Sequence, residues 1–167
     1  ETTIRYLNTT PVIQSFLAWA NTAVHANPDY QVIFPPDAER AAFHSKVEFT
    51  DYPVADQFYQ GIDFRGNIDL SWWKNTPSPT SFFAWGSTMN FLAGYDHGKN
   101  AGILLVGDHS VFPGKKFWNW GNNEVQRLWD KMLTDSDGPY QELMMGMYSD
   151  NQPDYSWNNP FGTKEGT

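Results

Sequence analysis

From Tyr140 to Tyr148 the chain alternates between two kinds of side chain. Read as a strand, it sets Tyr140, Glu142, Met144, Gly146 and Tyr148 on one face and Gln141, Leu143, Met145 and Met147 on the other. The second is a core face. The first places one carboxylate, Glu142, among rings and a thioether, where partial loss of water would suit it to proton transfer. A solvated Glu on an open sheet is the competing reading of the same pattern.

A second alternation runs from Thr10 to Ala26. As a strand it puts Phe16, Ala18, Ala20, Thr22 and Val24 on a small apolar face and Trp19, Asn21, Ala23 and His25 on the other. An indole, an amide and an imidazole in a row have the chemistry of a site wall. Tyr30 to Phe34 predicts a short strand stopped by Pro35-Pro36, and Asp37 to Val47 one helical turn around Ala38 to Phe43. Residues 50–81 read as a long, turn-rich loop whose aromatics argue against disorder. Ser81 to Trp85 and Ala101 to Val106 read as buried strands, with a third from Met89 to Gly94 between them and a hairpin turn over residues 96–102.

One helix is predicted near 123–132. Asn122 or Asn123 caps it, and Val125, Leu128, Trp129 and Met132 fall at i, i+3, i+4 and i+7 with Glu124, Arg127, Asp130 and Lys131 on the polar side. Many short strands, frequent Gly and Pro turns and a single helix predict an all-β antiparallel sandwich. At 167 residues the chain accommodates one domain with a real core. Its start at Glu1 and its polar end give the expectation of a piece of something larger.

The net charge of −8, with no basic run, argues against nucleic acid and anionic membrane surfaces, and no apolar stretch predicts membrane insertion. Without cysteine there are no disulfides and no thiolate metal sites. Localisation does not follow from the sequence; a secreted or periplasmic setting is favoured. His25, His44, His97 and His109 lack zinc-binding spacing, and Asp135-Ser136-Asp137-Gly138 lacks the glutamate that an EF-hand requires, so no metal site is assigned, with an irregular calcium site as the open alternative. Nucleotide-binding fingerprints are also missing, and no cofactor is expected.

Aromatic residues make up 17% of the chain, enough to supply platforms for sugar rings as well as a core. The pairs Trp72-Trp73, Trp118-x-Trp120 and Tyr155-x-Trp157 mark the candidates, with Lys74, His97 and Asn21 to hold hydroxyls. For any single Trp, core packing is the competing reading.

The segments SWWKNTPSPTSFFAW, AGYDHGKNAG, PGKKFWNWGNN and LTDSDGPYQELMMGMYSDNQPDYSW resemble DUF5107, a bacterial domain family often followed by tetratricopeptide repeats and grouped with galactose-mutarotase-like supersandwich proteins. The resemblance covers nearly the whole chain and implies a partial supersandwich that handles carbohydrate. Aldose epimerases in that superfamily draw an acid from an Asn-His strand and a base from a later Leu-Glu strand. By that likeness Glu142 is the base, removing the anomeric hydroxyl proton, and His25, four residues after Asn21, is the acid at the ring oxygen. The epimerase His-Gly-Gly segment would precede residue 1. A non-catalytic carbohydrate-binding module and an aromatic scaffold for neighbouring domains are the alternatives from other functional classes.

Overall fold

The structure is a computed structural model that describes residues 1–147 and 155–167; Tyr148 of the predicted strand lies outside the described residues. The first strands are β1 (Ile4–Leu7), β2 (Gln14–Phe16), β3 (Trp19–His25), β4 (Tyr30–Ile33), β5 (Arg40–Ala42) and β6 (Phe49–Asp51). Four short ones follow, β7 (Val54–Ala55), β8 (Phe58–Tyr59), β9 (Ile62–Asp63) and β10 (Ile68–Asp69), then a 3-10 turn at Trp73–Asn75. Next come β11 (Thr80–Ala84), β12 (Phe91–Asp96), β13 (Ala101–Val106) and β14 (Gly114–Asn119). The helix α1 (Arg127–Leu133) precedes β15 (Tyr140–Gly146), β16 (Ser156–Asn158) and β17 (Thr163–Gly166).

Six strands form the main antiparallel sheet in the order β3-β15-β14-β11-β5-β6, and β13-β12-β4 form a second sheet against it. Directly paired residues share a face, so the register sorts the main sheet into two sides. Gln141, Leu143 and Met145 line up with Asn119, Phe117 and Lys115, and Phe117 in turn pairs with Phe82. That side is the core. Phe82, Phe117 and Leu143 are fully buried there, and the second sheet supplies Val32 and Leu92. The two chain ends meet as a ribbon of β1 and β17.

Period-2 alternation places β15 where the sequence predicts it, and β3 as the second half of the strand expected from Thr10 to Ala26, whose first half is the separate β2, paired with β16. Three other expectations are corrected. Within residues 38–43 the chain forms the strand Arg40–Ala42 rather than a helical turn, because Ala41 and Ala42 pair with Ala84 and Phe83. The expected long loop folds as nested hairpins, β7 with β10 enclosing β8 with β9. Its anchors are buried Tyr52, Ala55, Tyr59, Phe64 and Leu70, and the Tyr59 hydroxyl donates to the Ser81 carbonyl at 2.7 Å. β13 is a sheet edge whose Leu104 and Val106 are exposed, so it is not a buried strand.

The predicted helix is shorter at its start and turned the other way. Residues 123–126 make a turn in which the Asn123 side chain accepts the Gln126 amide at 3.0 Å. Asp130 is buried, whereas Leu128 and Met132 face outward, 60% and 73% exposed. Burial raises the Asp130 pKa. Among the described residues no helix is long and apolar enough to cross a membrane.

Candidate functional site

The other side of the main sheet carries the polar chemistry. One row across the strands reads Ala23, Glu142, Trp118, Ser81; the next reads Asn21, Met144, Lys116, Phe83. Glu142, Trp118, Ser81, Asn21, Met144 and Lys116 of these rows, together with His44 and Trp120, line a cleft of about 310 Å³. Antiparallel pairing thus gathers positions 21, 44, 81, 116 and 142, which are remote in sequence.

Glu142 is partly buried and held from two sides. Asn21 donates to its Oε2 at 3.0 Å, and the Tyr140 hydroxyl lies 3.4 Å from Oε1. Burial is the main reason that the Tyr140 pKa is raised. A carboxylate whose orientation is fixed, at the side of a cleft floored by aromatic rings, is placed to accept a proton from a bound hydroxyl.

Lys116 is the residue that sequence reasoning missed. It is 5% exposed, and its ammonium sits 4.1 Å from the Trp19 ring centroid and 4.7 Å from that of Phe83. Burial brings its pKa down to about 8 against the opposing pull of Glu142. Glycine at position 146, directly opposite Trp19, leaves room for that indole to lie across β15. A Cβ there would stand 2.5 Å from the ring. Gly146→Ala is therefore expected to destabilise the fold by about 1–2 kcal/mol through overpacking, measured by denaturant titration.

His44 is the second missed member. Its ring meets Phe83 and Trp118 edge-on, at centroid distances of 5.6 and 6.5 Å. Burial, then the Lys116 charge, lowers its pKa. The signal available in the sequence was the alternation Lys116, Trp118, Trp120, which continues the site face onto β14.

The predicted site residues separate into three groups. Glu142, Asn21, Trp118 and Trp120 meet in the cleft. His25 lies on the same face, opposite Tyr140 and hence diagonal to Glu142, but it is exposed and outside the cleft lining. Trp72, Lys74 and His97 cluster elsewhere: His97 stacks 5.0 Å from Trp72 and contacts Gln31 at 3.0 Å, and the Lys74 ammonium lies 4.6 Å over Trp72. Trp73 is 5% exposed and packs in the core. Trp120 also stacks on Trp129 of α1, which ties the helix to the rim of the cleft.

Among the described residues no group of three or more His, Asp or Glu side chains is arranged to hold a metal ion. A larger trough of about 690 Å³ opens between β3 and β13, lined by residues such as Ala20, Leu104, Val106 and Met145. Apart from the chain ends it gathers no acid or base, so the smaller cleft is the candidate for chemistry.

The model of DUF5107, described as a domain of unknown function, matches residues 1–166. A crystal structure of a TPR-domain containing protein from Parabacteroides distasonis ATCC 8503 aligns with a TM-score of 0.75 at 22% identity, over 98% of this chain and 26% of that one. That of a proposed aldose 1-epimerase from Escherichia coli K12 aligns with a TM-score of 0.60 at 12% identity, over 98% of this chain and 52% of that one. The chain therefore spans about a quarter and about half of the lengths of these two proteins, with which it shares a galactose-mutarotase-like sandwich fold.

Proposed function

The chain belongs to the DUF5107 family, and from that premise and the cleft geometry we propose that it processes carbohydrate by mutarotase-like proton transfer, with Glu142 as the base. The observation that carries the reading is the fixed Glu142 carboxylate, bonded to Asn21 within a cleft lined by Trp118 and Trp120. Sugars present apolar C–H faces to such rings while their hydroxyls meet the polar groups. Glu142 takes the proton from the anomeric hydroxyl as the ring opens. His25 stands at the edge of the same face as the acid proposed from the epimerase likeness.

The test is an NMR titration with a panel of mono- and oligosaccharides, following tryptophan indole signals and anomer exchange in the same samples. Faster exchange with indole shifts is expected. Silence in both measurements would remove carbohydrate from the reading. Asn21→Ala should lower the exchange rate on the order of tenfold with little change in affinity, because the carboxylate then loses its fixed orientation.

The exposure of His25 favours one alternative, a binding module that keeps the cleft without a working acid; indole shifts unaccompanied by exchange would identify it. We further propose that residues 1–167 form one domain within a larger supersandwich, in keeping with the open edges β3 and β13. The exposed apolar side of α1 fits a helical-repeat region in the same full-length protein. Sedimentation of the full-length protein against the isolated repeat region and domain would test that contact.

A further inference from the structure

A buried cation needs a partner, and Lys116 has an unusual set. Its stem is enclosed by the sheet and the rings of Trp19 and Phe83, which favour the charged ammonium. Yet no carboxylate oxygen lies within 4.0 Å of its nitrogen, and no hydrogen-bond acceptor meets it among the described residues. The neighbouring Lys115, buried on the opposite face, reaches the Pro113 carbonyl at 3.5 Å. Glu142, the one carboxylate of the cleft, is engaged by Asn21 instead.

The other polar groups around Lys116 can donate as well. The Ser81 hydroxyl and the Trp118 indole nitrogen are buried without partners, and the His44 ring stands beside them. Such a corner of buried donors beside a positive charge, whose nearest carboxylate, Glu142, attracts it without closing an ion pair, is costly unless a ligand completes it. The Glu142 side of the cleft is suited to hydroxyls. The cleft therefore carries a cation and a carboxylate on adjacent strands, diagonal to each other across the β14–β15 pair, with Trp118 beside both.

We infer that the cleft takes a sugar bearing an anionic group, either a carboxylate or a phosphate ester, which Lys116 receives with His44 beside it while the ring hydroxyls meet Glu142. This rests on the carbohydrate reading given above and adds the substrate class to it. A neutral sugar would leave the ammonium unpaired, whereas a uronate or sugar phosphate would pair it in a low-dielectric setting where charge-assisted bonds are strong.

The experiment is a titration of galactose, galacturonate and galactose 6-phosphate into the wild-type protein and the Lys116→Met and Lys116→Arg variants, read by indole shifts and anomer exchange. In the wild type at least one anionic sugar should bind roughly tenfold or more tightly than galactose. Lys116→Met should bring that preference below about twofold, and Lys116→Arg should retain it. In the free protein the groups facing Lys116 are Glu142 and His44, and the preference should weaken as pH rises above about 8, where the ammonium begins to lose its proton. The Arg variant, charged throughout, should not show that loss.

Equal affinity for all three sugars in the wild type, or a preference that survives Lys116→Met, overturns the inference. If galactose alone binds and exchanges, the inference fails while the proposed function stands. If the anionic sugars bind without exchange, proton transfer fails and the anion site stands. Absence of binding by every sugar overturns both. Acceptance of galacturonate alone, or of the phosphate alone, names the anionic group.

Discussion

Glu142→Gln is expected to slow anomer exchange by roughly 10²–10⁴-fold, the usual contribution of a positioned general base, while sugar affinity changes little. The substitution keeps shape and removes only the ability to take up a proton. Its amide can still accept the Asn21 donor that now holds Oε2 at 3.0 Å, so the local frame is retained. Exchange spectroscopy on the two anomeric signals gives the rate, and the indole shifts in the same samples give the affinity. A large loss of rate at constant affinity assigns the chemistry to Glu142, because an interaction made only in the transition state lowers kcat and kcat/KM together. Wild-type exchange in this variant would remove Glu142 from the chemistry and assign the base to another group.

The part of this site that was legible in the sequence is the part fixed by period-2 alternation. Once β3 and β15 are strands, Asn21 and Glu142 must fall on the faces they occupy, whatever their partners. What alternation cannot supply is which strands lie beside them. Lys116 and Glu142 are neighbours because β14 pairs with β15, and His44 arrives two strands farther across the sheet. Lys115 and Lys116 are adjacent in sequence, yet in the fold one side chain goes to the core and the other to the cleft.

The helix shows the converse limit. Its apolar spacing marks a stripe, but burial of Asp130 and the stacking of Trp129 on Trp120 set the rotation, and Leu128 and Met132 are left outside. Residues 54–69 were obscure for a third reason. Their anchors Ala55, Tyr59, Ile62 and Phe64 are spaced four, three and two residues apart, so no single period runs through them, because each belongs to a different two-residue strand or loop. Irregular spacing of anchors looks like loop.

Lys116→Met is expected to stabilise the fold while it impairs recognition of anionic sugars. Burial lowers the lysine pKa from an ordinary 10.5 to about 8, which corresponds to roughly 3 kcal/mol of strain against the charged form. Losing the contacts with Trp19 and Phe83 returns about 1 kcal/mol, so the net gain near pH 7 is roughly 2 kcal/mol, or a rise of about 5 °C in Tm for a domain of this size. The pH dependence has a definite sign. Between about pH 8 and 10.5 the unfolded chain holds the Lys116 proton more tightly than the folded one, so this residue's penalty is complete below pH 8 and fades as pH rises through that window. The advantage of the variant should therefore be largest at pH 7 and shrink toward pH 10. Burial also raises the Tyr30 pKa to about 12, but that contribution is shared by both proteins and cancels in their difference. Paired thermal melts of the two proteins across pH 7 to 10 measure the gap. A variant less stable than wild type at pH 7, or a gap independent of pH, would mean that Lys116 is held by its surroundings rather than kept against them, and the case for a missing anionic partner would lose its energetic basis.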